Sequence, residues 1–172
     1  MQLVEHTFHE MSALEYHIHT TSLPSYPQSN VLIVAFEGTY GIGSKGNGDA
    51  NFINAIIAGA RAAWEASSFV LDYRSMDYEW GDGLTVATGQ EKLTAEEYRM
   101  LGPFFPSPIC SATLISDRNR EAIHSLVRSE YGYDPDAVAG SEDAWLFDDL
   151  ASALTAFEDA RHQFRAGAGD DK

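Results

Sequence analysis

The sequence predicts an α/β fold: a single layer of mostly parallel sheet of about five strands with helices, in which the first strand lies antiparallel at an edge. Short apolar runs alternate with longer segments whose apolar residues recur at the helical period, which is typical of parallel strands joined by right-handed crossovers. No helix separates the first two predicted strands, so we expect them to pair antiparallel. At 172 residues the chain fits one domain with a sizeable core.

The N-terminal part supplies the predicted edge strand. Residues 14–19 alternate apolar and polar side chains, which is the period of a half-buried strand. Pro24 and Pro27 are expected to end this strand in a loop that runs to residue 30. Residues 31–36 form a continuous apolar run, which is typical of a strand buried on both faces.

The middle of the chain continues with a glycine-rich loop and further βα units. Residues 38–48 are expected to be loop, and Asp49 is the predicted N-cap of a helix that reaches about Ser67. Residues 69–72 are the next predicted strand. Thr94 and Glu97 have the spacing of a capping box, which predicts a short helix over residues 94–101.

The C-terminal part adds two strands and two helices. Residues 109–115 are a predicted strand, and the helix after it is expected to begin at Ser116 or Asp117 and to end before Gly132. Residues 144–147 are a short predicted strand. The last helix is capped by Asp148 or Asp149.

These elements predict three regions. Residues 1–30 form an N-terminal extension with the edge strand, residues 31–165 form the α/β domain, and residues 166–172 form a disordered tail. Cys110 is the only cysteine, so no intrachain disulfide can form. The start has neither a basic nor a long apolar region, and no apolar run approaches the ~20 residues that span a bilayer. We therefore expect a cytoplasmic protein.

The formal net charge of −15 limits the classes of partner. Nucleic-acid binding needs basic faces that displace counterions from phosphates, and anionic membrane surfaces attract basic segments. We therefore expect neither partner. An acidic surface speeds association with a basic protein, because complementary fields steer the encounter. High solubility is the other interpretation of the same charge.

The segment from Asp72 to Leu84 resembles the middle of STAS domains, which are the modules of anti-sigma-factor antagonists and of sulfate-transporter tails. Asp72, Gly83 and Leu84 match the family pattern, and Met76 and Tyr78 keep its apolar inner positions. The order of the predicted elements over residues 31–164 is also similar to the STAS order. The resemblance implies a STAS-like, non-enzymatic α/β binding module that acts on a protein such as an anti-sigma factor or its kinase.

The chain departs from the STAS pattern where that family carries its switch. Gly81 stands at the position of the phosphorylated serine, Asp82 at that of the next serine, and Trp80 at that of an aspartate. Phosphorylation switches a serine by adding about two negative charges and three acceptor oxygens. With no hydroxyl at 81 or 82, such a switch cannot operate here, and Asp82 is a fixed charge or simply a helix cap.

Two loops are candidate surfaces for a protein partner, because aromatic anchors and complementary charges dominate such interfaces. The predicted partner-binding residues are Tyr78, Trp80, Asp82, Tyr133, Asp134, Asp136, Glu142 and Asp143. A solvated acidic edge and aromatic core residues are the other interpretation of these residues. The predicted function is a regulator of the anti-sigma-antagonist kind, or an immunity-type inhibitor that covers the basic site of a toxin.

The glycine-rich loop supports an alternative from another class. Gly41 to Gly46 fits the spacing G-x-G-x-x-G after a strand and before a helix, which is the context of a dinucleotide site. The alternative function is therefore an enzyme or sensor that binds a nucleotide or acyl-CoA at this loop. The distance to Asp72 and the position of Lys45 fit neither a Rossmann nor a Walker site, so a surface loop is the preferred interpretation.

We predict no metal, no cofactor and no catalytic residues. His17 and His19 share one face of the first strand, and imidazoles with nearby carboxylates could hold Zn²⁺, but their spacing matches no motif with a mechanism. Solvated side chains on an edge strand are the preferred interpretation. The acidic residues between 134 and 149 lack the glycine and glutamate of an EF-hand loop.

Overall fold

A five-stranded sheet organises the chain in the computed structural model, which describes residues 4–66, 68–81, 83–87, 110–139 and 144–167. The strands lie side by side in chain order. β1 pairs antiparallel with β2, and the other three neighbouring pairs are parallel. The predicted α/β class, with its antiparallel first strand at an edge, is therefore confirmed.

The described elements are strands, α-helices and 3₁₀ helices. The strands are β1 (Glu15–Leu23), β2 (Tyr26–Thr39), β3 (Ser68–Asp77), β4 (Cys110–Leu114) and β5 (Leu146–Phe147). The α-helices are α1 (Asn47–Trp64), α2 (Arg120–Glu130), α3 (Pro135–Ala139) and α4 (Leu150–Gly167). Two short 3₁₀ helices, Phe8–Glu10 and Gly43–Gly46, precede β1 and α1.

The sheet is covered on both faces because its central strands are apolar on both. Leu32 and Val34 of β2 belong to the core beneath α1 and α2, whereas Val31 and Ile33 face the core beneath α4. Side chains alternate between the two faces of a strand, so a continuous apolar run serves both cores. The predicted burial of this run on both faces is confirmed.

The predicted loop over residues 23–30 is wrong. The turn is confined to Pro24 and Ser25, and β2 already begins at Tyr26. Pro27 lies in this first part of β2, where a missing ladder donor is tolerated. Tyr26 is buried at the turn and its hydroxyl hydrogen-bonds His162 of α4, so tertiary packing extends the strand.

The first helix begins three residues earlier than predicted, at Asn47, and its N-cap is Gly46 rather than Asp49. The Asp49 carboxylate lies in the first turn and accepts hydrogen bonds from the Ser12 hydroxyl and from the backbone N–H of Gly41. It therefore fixes the N-terminal segment and the glycine-rich loop onto the helix. The helix ends at Trp64 because Glu65 adopts the left-handed conformation, with φ of 45°.

Asp72 does not end its strand, so the predicted loop after it is also wrong. β3 continues to Asp77, across a register shift opposite Ala35 and Glu37 of β2. The Arg74 guanidinium pairs with the Asp72 carboxylate at 2.7 Å, so this aspartate has its partner within the strand. The polar residues that suggested a loop are thus the solvent-facing half of a strand whose other half is buried.

The C-terminal elements follow the prediction with small shifts. α2 begins at Arg120 after the buried Asn119, and Gly132 has the left-handed φ of 70° expected after a helix end. Asp149 caps α4 by accepting the backbone N–H of Ser152 at 2.8 Å. β5 is shorter than predicted, and α3 lies within the predicted acidic loop. The predicted helix over 94–101 lies outside the described residues.

Candidate functional site

The loops that follow β2 and β3 meet at the carboxyl edge of the parallel strands. The backbone N–H of Tyr40 donates to the carbonyl of Asp77 at 2.9 Å, and that of Gly43 donates to the carbonyl of Trp80 at 3.3 Å. In open α/β sheets, ligands bind at this edge. We call the exposed surface that Ile42 and Trp80 form here the Trp80 surface.

Three tyrosine hydroxyls hold the chain that follows Trp80. Each donates a hydrogen bond to a backbone carbonyl, joining Tyr78 to Gly81, Tyr131 to Leu84, and Tyr73 to Thr85. The carbonyls that a helix would use are therefore occupied by side chains, and the described residues 83–87 form neither helix nor strand. The result is an irregular loop that is held in one conformation.

Trp80 is presented to solvent by this loop. Its side chain is 61% exposed, and Ile42 on the neighbouring loop is 53% exposed. The indole lies directly on Gly43, where an added Cβ would be 2.9 Å from the ring. Gly43 has φ of 58°, so the position favours glycine both for its backbone and for the space that the indole needs.

Tyr78 is buried, unlike Trp80, the other aromatic residue predicted to bind a partner from this part of the chain. It is only 3% exposed, and its ring packs against Tyr40 with the centroids 5.2 Å apart. Because its hydroxyl also binds Gly81, Tyr78 positions the loop from beneath. Asp82, which the sequence placed beside these residues, lies outside the described residues.

Tyr73, Tyr78 and Tyr131, whose hydroxyls hold this loop, form what we call the tyrosine cluster. Tyr73 is fully buried. Burial raises the pKa of its hydroxyl well above the usual value, and the nearby Tyr131 and Tyr40 hydroxyls raise it further. The hydroxyl therefore stays protonated and remains a hydrogen-bond donor to Thr85. Of these three tyrosines only Tyr78 is among the predicted partner-binding residues, and the spacing of residues 73, 78 and 131 shows no pattern that would have joined them.

Three backbone N–H groups of the glycine-rich loop donate hydrogen bonds within the protein. The N–H of Gly41 binds the Asp49 carboxylate at 2.8 Å, and the N–H groups of Gly43 and Lys45 bind backbone carbonyls. A dinucleotide phosphate is held by such N–H groups at a helix N-terminus. Here a buried carboxylate, Asp49, takes that place, and its charge opposes an incoming phosphate. Gly46 is required for packing, since its added Cβ would lie 2.3 Å from the Tyr40 ring.

The second predicted surface, which includes Tyr133, Asp134 and Asp136, differs in its contacts from the loop that carries Trp80. Asp134 is exposed and caps α3 by accepting the N–H of Asp136, whose own carboxylate lies 3.6 Å from the Arg128 guanidinium. Tyr133 is half-buried and packs edge-on against the buried Trp145, with the centroids 6.2 Å apart. Glu142 and Asp143 lie outside the described residues. Both aspartates thus have local structural roles.

The two predicted surfaces adjoin through one hydrogen bond. Tyr131, which ends α2 two residues before Tyr133, donates its hydroxyl to the carbonyl of Leu84 at 3.4 Å. Leu84 belongs to the loop that carries Trp80. The described part of the acidic segment therefore lies next to this loop, although the two are about fifty residues apart in sequence.

Arginines paired with aspartates line the carboxyl ends of β3 and β4. Arg118 lies 3.2 Å from Asp77 and also donates to the carbonyl of Ser75, which ties the loop after β4 to the end of β3. Arg120 bridges Asp117 at 3.2 Å and Asp148 at 2.8 Å. Hydrogen bonds and ion pairs with Asp148 and then Asp117 raise the pKa of Arg120. These cations are matched by carboxylates, so the edge carries little net positive charge.

The described residues contain no cluster of three metal-ligating side chains. His17 and His19 nevertheless lie together on one face of β1, with their rings stacked and their centroids 6.5 Å apart. Both are exposed, and His17 borders a small cleft of about 50 Å³ with Glu37 and Asp72. One chain thus supplies two imidazoles, which is fewer than a zinc site needs.

Comparisons with family models, curated proteins and solved structures gave no significant match. The resemblance to STAS domains therefore remains a prediction. Within the described ranges, no helix combines the length and the apolar character needed to cross a bilayer.

Proposed function

We propose that this protein is a non-enzymatic, acidic binding module of the cytoplasm, which regulates or inhibits a protein partner through the Trp80 surface. The observation that carries the proposal is the exposed Trp80 on a loop held by buried tyrosines. Large exposed aromatic side chains are the commonest hot spots of protein interfaces. A loop that is already ordered loses less conformational entropy on binding.

The charge of the chain supports a basic partner. The formal charge is −15, and the exposed Glu79 precedes Trp80, whereas the half-exposed Asp77 is paired with Arg118. Such a surface complements an apolar pocket with a basic rim. A toxin whose basic active site is covered by an immunity-type inhibitor has this chemistry. A regulator of the anti-sigma-antagonist kind is the other version of the same class, and Gly81 would leave it without a serine switch.

The alternative small-molecule function receives less support. The N–H groups of Gly43 and Lys45 bind carbonyls of the two loops, and that of Gly41 binds the Asp49 carboxylate of α1, which takes the place of a phosphate. Thermal unfolding with NAD, ATP and CoA tests this directly. A ligand at 100 times its dissociation constant would add about 2.7 kcal/mol of stability. We expect no shift with any of the three, and a shift of that size would favour the small-molecule function.

The proposed class is tested by capturing partners from lysate of the source organism with tagged protein, at about 0.1 M and about 1 M salt. We expect one dominant protein whose recovery falls at high salt, because the Debye length shortens from about 10 Å to about 3 Å. A basic toxin-like domain would identify the inhibitor version, and a kinase or anti-sigma protein the regulator version. A partner captured equally at both salt concentrations would contradict the electrostatic part of the proposal.

A further inference from the structure

The outer edge of β1 is long, and almost none of its residues carries a charge. Within the described residues β1 pairs only with β2, so its other side offers backbone donors and acceptors to a further strand. Residues 16–23 contain no Asp, Glu, Lys or Arg in a chain whose net charge is −15. Like-charge repulsion between two copies is therefore low along this strand. Because this edge carries little charge, it can pair with the same edge of a second copy about a two-fold axis.

The register of that pairing is set by the part of β1 that pairs with β2 without a shift. Its pairing with β2 runs without a shift from Glu15 to Thr21 and becomes irregular before Leu23. Upstream of the strand, Ser12 and Leu14 turn into the protein interior. An antiparallel pair that uses the whole regular stretch of both copies is therefore centred on its midpoint, Ile18.

This register brings the imidazoles of the two copies close together. With Ile18 on the two-fold axis, His17 of each copy lies opposite His19 of the other. Directly opposed residues in antiparallel strands have Cβ atoms about 4.5–5.5 Å apart. Within each copy the two rings already lie side by side, with centroids 6.5 Å apart. Two histidines from each chain thus form a compact square on one face.

We propose that two copies of this chain pair through β1 and bind one Zn²⁺ between the four imidazoles of His17 and His19. Four neutral nitrogen ligands suit the tetrahedral preference of Zn²⁺, with Zn–N distances of about 2.0–2.1 Å. Glu15 and Glu37 oppose each other in the neighbouring ladder, so their carboxylates lie near the histidines and favour a cation. The site is incomplete in one copy and is independent of the Trp80 surface.

The experiment measures mass and zinc content of the full chain together. After zinc loading and dialysis we expect one zinc per two chains by elemental analysis. Light scattering should show twice the monomer mass of 18.9 kDa, and EDTA should return the mass to that of the monomer. His17→Ala and His19→Ala should each abolish both the zinc and the dimer. His9→Ala, at another exposed histidine, should change neither.

The other outcomes overturn the proposal. One zinc per chain without a change of mass would mean that the two imidazoles chelate zinc within one copy. A dimer that persists in EDTA and in both variants would show an interface elsewhere. Zinc retained equally by the two variants and by the wild type would place the metal at other ligands. Because both histidines are exposed, circular dichroism should confirm that the variants fold.

Discussion

The indole of Trp80 lies on the backbone of Gly43, and the N–H of Gly43 donates to the carbonyl of Trp80 at 3.3 Å. This pair joins the loop after β2 to the loop after β3. It explains why a tryptophan can project into solvent and still have a defined orientation. Each residue depends on the other, since only a glycine leaves room for the ring.

Gly43→Ala should therefore change the environment of Trp80. The new Cβ would meet the ring at 2.9 Å, and φ of 58° is unfavourable for alanine. The left-handed conformation alone costs about 1–2 kcal/mol. We expect that loss in urea unfolding, together with a shifted Trp80 indole N–H signal by NMR. Gly59→Ala is the matched control: it lies on exposed helix with open space around it, and should stabilise by about 0.5–1 kcal/mol.

Tyr78→Phe should loosen the loop without removing a ring from the core. The variant leaves the buried carbonyl of Gly81 without this hydroxyl donor, and we expect a loss of about 1 kcal/mol in the free energy of unfolding. Hydrogen exchange in residues 79–87 should become faster. Tyr16→Phe, on the exposed edge strand, should stay within about 0.5 kcal/mol of the wild type. Equal effects of the two variants would contradict the role of Tyr78 in holding the loop.

Asp49→Ala should be more destabilising than an ordinary surface aspartate. It leaves the Ser12 hydroxyl and the Gly41 N–H without their acceptor, and hydrogen bonds to charged groups contribute about 1.5–3 kcal/mol each. We expect a loss of about 2 kcal/mol or more by urea unfolding. Asp159→Ala, on the exposed face of α4, should change stability by less than about 0.5 kcal/mol. A loss as small for Asp49 would show that its contacts contribute little.

Alkaline pH should destabilise the fold through Tyr73. Its folded pKa is raised above the unfolded value of about 10, so the native state holds this proton more tightly than the unfolded chain does. The stabilisation is complete below pH ~10 and is lost as pH rises through the folded pKa. Tyrosinate absorbance should thus show an ionisation that coincides with unfolding. In Tyr73→Phe the amplitude of that coupled ionisation should be smaller.

Apolar runs predicted the sheet well, because burial on both faces leaves a clear signal. Residues 31–36 lie in β2, and β4 spans Cys110–Leu114, which is close to where the patterns placed both strands. Polar residues were misleading where another side chain satisfied them. Asp72 resembles a strand end in the sequence, but it pairs with Arg74 within β3. Asp49 resembles a cap, but it accepts the hydroxyl of Ser12, which is 37 residues away and leaves no local pattern.

The candidate site was predictable only in part, for the same reason. The exposure of Trp80 agrees with its choice as an anchor, whereas Tyr78 had to be placed by the fold before its supporting role was visible. The other two members of the tyrosine cluster, Tyr73 and Tyr131, come from β3 and the end of α2. Only the fold brings them to one loop.

Calorimetry of the captured partner with wild-type protein, Trp80→Ala and Trp64→Ala tests directly whether the partner binds at the Trp80 surface. Both tryptophans are exposed, and Trp64 ends α1 away from the contacts of the Trp80 loop. We expect Trp80→Ala to lose about 2 kcal/mol or more, which is about 30-fold in Kd. Trp64→Ala should bind within about two-fold of the wild type. Equal binding by all three proteins would contradict the claim that the Trp80 surface is the binding site.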